Sequence, residues 1–240
     1  GEPPEDFEWR YRRRSGGSKD LSAEFDRAED EELVPGERFT PQAFAEKFVG
    51  AHLDGLVCLY NDPKHEMGKH YVFSHARNMV GEECMSFVNI GMDEMKKIAI
   101  SSIKENESRW FAVNMDLDQS EKHGLMEDKL FDYEGLFGTD LSLSKEDRAR
   151  FHTAVSNHAM ALIGVDLDGE EQRPRKWLAE NSWGDKKGRD GFWTIYDRWF
   201  EEHVYTIIVD RRHVPAEILS SFEEEPAELP AWYPGASGVA

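Results

Sequence analysis

Cysteine is scarce in this chain of 240 residues: only Cys58 and Cys84 occur. Neither sits in a paired Cys-x-x-Cys or Cys/His zinc spacing. That argues against a secreted domain held together by disulfides. Long apolar runs are missing as well. The longest, Ala159 to Val165, has seven residues including a glycine, far short of the roughly 20 that a membrane-spanning helix needs. The opening residues, Gly1-Glu2-Pro3-Pro4, lack the basic-then-apolar pattern of a signal peptide, and no initiator methionine precedes them. The expectation is a piece of a longer protein. Basic charge is also in deficit. Lys and Arg number 29 against 48 Asp and Glu, a net charge of −19. Such an acid excess repels phosphate backbones and anionic lipid surfaces, which counts against nucleic-acid and membrane partners and favours solubility.

What is present suffices for a folded body. At 39% hydrophobic and 12% aromatic residues the chain is not disordered, and its length fits one large or two small domains. Residues 1–39 read as a charged surface segment. Arg10, Arg12, Arg13 and Arg14 form a basic cluster, and Asp20 to Glu32 holds seven acids and one Arg. The compact part is expected over 40–221, with an arm over 222–240. Thr40 as N-cap, Pro41 in the first turn, and Phe44 and Phe48 four apart predict a short helix. Gly55–Tyr60 and Tyr71–Ser74 read as strands. Asp93 is expected to cap a helix with Met95, Ile98, Ala99 and Ile103 on one face and Lys96, Lys97 and Lys104 off it. Arg109–Met115 reads as a strand, 116–140 as irregular, and Ser144 as the cap of a helix reaching Phe151. From there the pattern is β: His158–Leu167, Arg175–Asn181, Phe192–Ile195 and Val204–Val209, with glycines at the turns. The fold class is α+β, its β part concentrated in the C-terminal half. In the arm, Trp232 and Tyr233 are the large anchors expected to dock on the body.

Two segments carry chemistry. His158 enters an apolar strand, and Asn181-Ser182-Trp183-Gly184 ends another strand 23 residues later. A turn between them would let the strands pair and bring His158 to Asn181. An imidazole that moves protons needs a fixed tautomer, which an amide oxygen can supply, and Trp183 could shield that bond from water. Taken singly, a histidine at a strand start is usually structural and an Asn before a glycine turn is usually turn chemistry. Together they form the orienting half of a Cys-His-Asn nucleophilic site.

Asn181-Ser182-Trp183-Gly184 resembles the asparagine motif of papain-fold cysteine peptidases. The wider pattern, Asn157-His158-Ala159-Met160 with Lys176-Trp177 and Glu180 to Asp185, resembles the bleomycin hydrolase/aminopeptidase C branch. The similarity continues through Trp199–Tyr205 and Val209–Pro215. Upstream it includes Pro3-Pro4, Thr40-Pro41, Asn61-Asp62-Pro63, Asn78–Gly81, Leu130–Glu134 and Phe137-Gly138, so it covers nearly the whole chain. The resemblance implies a cytosolic thiol aminopeptidase with a papain fold, hexameric, acting on peptides and requiring no cofactor and no metal. His158 and Asn181 would be catalytic on the β-barrel lobe, with Trp183 supporting them. The C-terminal arm would lie in the active-site groove, where the carboxylate of Ala240 receives the substrate's amino group.

The family's helical lobe, with its Gln-x-x-x-Cys-type segment, has no counterpart here. Cys58, in Leu56-Val57-Cys58-Leu59, reads as a small buried hydrophobe. Acidic Glu82 and Glu83 beside Cys84 disfavour a thiolate. The family's paired glycines appear as Gly81-Glu82, an altered local turn. His65, His70 and His75 recur every five residues, a spacing that suits neither one helix face nor one strand face, so no metal site is expected of them. His123 reads as structural, and His203 and His213 as surface or edge positions. The expected function is the C-terminal portion of a cysteine aminopeptidase that supplies the histidine and asparagine and is inactive alone. The alternatives are a catalytically dead homologue acting as a binding or scaffold module, or a clipped subunit completed by a second chain.

Overall fold

A computed structural model describes residues 4–9, 12–14, 31–33, 36–49, 53, 55–77, 80–169 and 172–233. The chain forms two compact units, Gly1–Asp54 and Gly55–Ala240. The smaller contains β1 (Phe7–Trp9), β2 (Arg12–Arg14), β3 (Glu31–Leu33), β4 (Glu37–Phe39) and α1 (Pro41–Phe48). β1 pairs antiparallel with β4. β2 pairs antiparallel with β3, placing Arg13 opposite Glu32 and Arg14 opposite Glu31. Arg13 and Arg14 of the basic cluster and Glu31 and Glu32 at the end of the acidic tract are thus cross-strand partners along the backbone. α1 starts where its chemistry directs: Ala43 N–H donates to the Thr40 hydroxyl at 3.1 Å, and Pro41 takes the position where a missing N–H costs nothing. Phe44 packs on Phe7, Trp9, Phe39 and Phe48.

The larger unit is built on one sheet of eleven strands. In chain order these are β5 (Leu56–Tyr60), β6 (His70–Phe73), β7 (Ser86–Asn89), β8 (Arg109–Val113), β9 (Gln119–Ser120), β10 (Leu125–Met126), β11 (His158–Leu167), β12 (Pro174–Glu180), β13 (Phe192–Tyr196), β14 (Val204–Asp210) and β15 (Ala227–Leu229). Their spatial order is β15-β6-β7-β5-β14-β8-β11-β12-β13-β10-β9. Among the described residues five α-helices join them: α2 (Met92–Lys104), α3 (Tyr133–Phe137), α4 (Lys145–Arg150), α5 (Asp197–His203) and α6 (Ala216–Ser221). Among the described residues no helix is long and apolar enough to cross a membrane.

Strand alternation divides the core between two faces. Leu59, Val88 and Val204 belong to one apolar cluster with Trp177, Trp193 and Trp199. Their chain neighbours Tyr60, Phe87 and Tyr205 belong to a second, aromatic cluster with Phe73 and Tyr233. Successive side chains on a strand point to opposite sides, so one sheet carries both cores.

Several expectations need correction. Gly91, not Asp93, caps α2; Asp93 falls in the first turn, where its charge suits the helix dipole. Lys96 is buried, because Asp197 and Glu201 of α5 each accept from its ammonium at 2.6 Å. The stretch 116–140 is not wholly irregular: it holds β9, β10 and α3. The purely β reading after Phe151 misses α5 and α6. Within α5, Trp199, Phe200 and His203 are buried together, which makes His203 a core residue at 1% exposure, and His213 is buried as well. The arm expected over 222–240 contains a strand, since β15 adds parallel to β6. Tyr233 docks, its hydroxyl donating to the Asp62 carboxylate. Trp232 does not dock, being 84% exposed.

Candidate active site

The site lies where β11 and β12 meet. These strands pair antiparallel, Ala161 opposite Glu180, so the entry of one and the exit of the other share one end. That register brings His158 and Asn181 together: His158 Nε2 lies 2.9 Å from Asn181 Oδ1. The amide orientation has a second witness. Ser182 N–H donates to the same oxygen at 2.8 Å, and a flipped amide would oppose donor to donor. Oδ1 can only accept, so Nε2 carries the proton and donates. In the neutral ring Nδ1 then holds the free lone pair.

Both residues are anchored through backbone. His158 pairs with Val113 of β8, and Asn181 N–H donates to Gly191 O at 3.0 Å. Asn157, one residue before the histidine, closes the other side. Its Oδ1 accepts from Met115 N–H at 2.9 Å, and its Nδ2 donates to Asp116 at 2.6 Å. Asn157 appears in the sequence motif, but its clamp on 115–116 is a long-range contact that no local pattern announces. The Trp183 ring stands 4.7 Å from that of His158 while remaining 42% exposed. Gly184 (φ +78°) and Gly191 (φ +91°) turn the intervening chain in the left-handed region that favours glycine.

Cys58 is not placed to act on this pair. Cys58 lies opposite Ile208 of β14, which lies opposite Trp110 of β8, which lies opposite Ala161 of β11. Three inter-strand steps are about 14 Å, and His158 is a further three residues along its strand. Burial pushes the Cys58 thiol up to about 12, the wrong direction for a nucleophile. Cys84 is half-buried on the link between β6 and β7. Gly81, in the altered turn, adopts φ +93° with open space where a side chain would be; Asn78 and Met79 lie outside the described residues, as does Ala240.

The other histidines are dispersed. His65 Nδ1 meets Asp62 at 3.1 Å, His70 Nδ1 donates to Glu224 O at 2.8 Å, and His75 is exposed. Each has its own surroundings, and they do not converge. His123 Nδ1 contacts the Ser120 hydroxyl at 2.9 Å. A cationic group that the sequence did not flag is Lys145. It is buried, with Asn61 Oδ1 and Val204 O accepting from its Nζ at 2.6 and 2.5 Å. Burial pulls its pKa down to about 7.

Comparison with known proteins places the chain and its fold. The family model described as "Peptidase C1-like family" matches residues 1–236. Bleomycin hydrolase of Homo sapiens is 34% identical over 240 residues, which cover 98% of this chain and 50% of the relative. Aminopeptidase W of Lactobacillus delbrueckii subsp. lactis is 35% identical over 232 residues, covering 97% and 49%. A crystal structure of PepW from Lactobacillus rhamnosis HN001 matches with a TM-score of 0.81 at 29% identity, over 98% of this chain and 50% of that one. The expected α+β, papain-like fold is the one found. The chain spans about half the length of the curated relatives it matches.

Proposed function

This chain belongs to the Peptidase C1-like family, and from that premise we propose that it supplies the histidine and asparagine of a thiol-dependent aminopeptidase. The nucleophilic cysteine would come from the half of the relatives' length that the chain does not span. The observation that carries the reading is the 2.9 Å bond from His158 Nε2 to Asn181 Oδ1, which leaves Nδ1 to face a thiol. In the complete site the thiol proton passes to Nδ1, giving a thiolate–imidazolium pair. The thiolate attacks the peptide carbonyl, and Nδ1–H then protonates the leaving amine as the C–N bond breaks. Water, losing its proton to Nδ1, releases the acyl group. Asn181 holds the ring angle throughout, and Trp183 limits the access of water to the His–Asn bond.

Ala240 is proposed as the carboxylate that receives the substrate's free amino group, which would select N-termini. The ordered tail up to Tyr233, held by β15 and by Asp62, supports a fixed departure point for that arm. The bleomycin hydrolase-like resemblance extends the reading to a hexamer in the cytosol acting on peptides.

The test is aminoacyl-coumarin hydrolysis by the longer protein that contains this chain. His158→Ala should lower kcat by about 10²–10⁴-fold, the usual contribution of a general acid–base, and Asn181→Ala by less. Equal kcat for wild type and His158→Ala overturns the assignment. The distance of Cys58 from the pair also suits a catalytically dead binding module; a longer protein without any thiol-dependent turnover would favour that reading.

A further inference from the structure

Away from His158 and Asn181, a second group of side chains converges without touching. Asp118, on the link between β8 and β9, Asp128, just after β10, and His203, the last residue of α5, each offer one ligand atom, and the three atoms lie within 4.8 Å of one another. The carboxylates are half-buried. His203 is 1% exposed, and its Nδ1 is buried without a hydrogen-bond partner. A core imidazole with an unpartnered nitrogen costs desolvation that nothing in the described structure offsets.

We propose that Asp118, Asp128 and His203 form a binding site for a single divalent first-row cation of the zinc or manganese class. Three atoms no more than 4.8 Å apart leave a point between them within about 2.8 Å of each, and shifts of at most about 0.6–0.8 Å bring the donors to the roughly 2.0–2.2 Å of zinc–nitrogen and zinc–oxygen bonds. Two carboxylates and one neutral imidazole carry charge −2, which a divalent ion cancels. The mixed oxygen and nitrogen donor set suits Zn²⁺ or Mn²⁺ better than the all-oxygen preference of Ca²⁺ or Mg²⁺. The half-exposed carboxylate side leaves room for water to complete the coordination.

The donors are held in advance. Trp199 Nε1 donates to Leu117 O at 3.1 Å, tying α5 to the residue before Asp118, and the Trp199 ring lies 4.7 Å from that of His203. Glu127 N–H donates to Asp118 O at 3.2 Å, joining the two ends of the loop. Two sets of groups compete for the carboxylates: the backbone N–H groups of Phe131 and Leu130 hydrogen-bond Asp118, and the Arg198 guanidinium stands 3.7 Å from Asp128. Arg198 also pairs with Glu201 and Glu202, so it can yield Asp128 without losing all its partners. The other cluster of this kind, Glu105, Glu107 and His213, is already engaged: Glu107 pairs with Arg109, Arg212 and His213.

The experiment is calorimetric titration of the EDTA-stripped chain with Zn²⁺ alone and with Mn²⁺ alone. One site is expected for at least one of the two ions. Asp118→Asn and Asp128→Asn should each weaken it by about tenfold or more, while Glu105→Gln leaves it unchanged. A readout that needs no variant is Mn²⁺ broadening of the His203 ring protons in the wild-type NMR spectrum, expected before other histidines respond. Equal affinity in wild type, Asp118→Asn and Asp128→Asn, no binding of either ion, or broadening that spares His203 overturns the site.

Discussion

The indole of Trp183 stands 4.7 Å from the imidazole of His158 and, at 6.0 Å, meets Trp193 edge-on. Trp193 is fully buried on β13, which pairs with β12, the strand that leads to Asn181. The candidate site is therefore braced from the core outward: a buried tryptophan steadies a half-exposed one, which lies against the histidine. A ring with a braced indole against it and one nitrogen on an amide oxygen has little freedom left.

The first prediction concerns the isolated chain. Its 240 residues should hydrolyse no aminoacyl-coumarin, because Cys58 is three strands from β11 and has its thiol pKa raised by burial. Without a nucleophile, orientation by Asn181 accelerates nothing. Steady fluorophore release that disappears in Cys58→Ala or Cys84→Ala would sink this.

Much of this architecture was legible in the sequence where local chemistry decides it. Thr40-Pro41 set the start of α1, and Ser144 that of α4, through side-chain caps. The apolar run predicts a strand over His158–Leu167, and β11 has those bounds. The adjacency of His158 and Asn181 followed from two strands and a turn. What escaped depends on distant partners. Lys96 and Lys145 look like surface lysines until Asp197, Glu201 and Asn61 arrive from other elements. Helix α5 was hidden because its seven residues run straight into β14, so an apolar helix face and an apolar strand merge into one pattern. Trp232 looked like an anchor on hydrophobicity alone, yet β15 and Tyr233 hold the tail without it.

The second prediction tests the turn beyond Asn181. Gly188 (φ +67°) could accept a Cβ only at 2.7 Å from Phe192 O and 2.9 Å from Trp193 Nε1, while Gly184 (φ +78°) has nothing within 4 Å. Both substitutions pay the left-handed backbone penalty of about 1–2 kcal/mol. Gly188→Ala adds overpacking against backbone, about 1–3 kcal/mol more. Urea unfolding should rank Gly188→Ala clearly below Gly184→Ala; equal losses would mean the turn opens freely.

The third prediction concerns the arm. In the longer protein, deleting 235–240 should lower the proposed aminopeptidase activity and permit cleavage within N-acetylated peptides, since the carboxylate proposed to bind the amine, and the chain proposed to fill the groove, would both go. Identical product patterns from free and N-acetylated peptides before and after deletion would remove Ala240 from the proposal.

The last prediction follows from Lys145. Its two acceptors, Asn61 Oδ1 and Val204 O, match the two N–H groups of a neutral amine, whereas an ammonium has three to place. Burial lowers its folded pKa to about 7, against roughly 10.4 in an unfolded chain. Below pH 7 both states are protonated and the cost of burying the charge is fully present. Between about pH 7 and pH 10 the unfolded chain holds a proton that the folded one has lost, so stability rises with pH, by at most about 1.4 kcal/mol per unit. Lys145→Met removes this term while keeping an unbranched side chain of similar reach. Urea midpoints at pH 6, 7, 8 and 9 should show wild type gaining on Lys145→Met only above pH 7. A difference that stays flat across that range would mean the amine remains charged in the fold, held by Glu202 and Asp62, whose charges oppose the effect of burial.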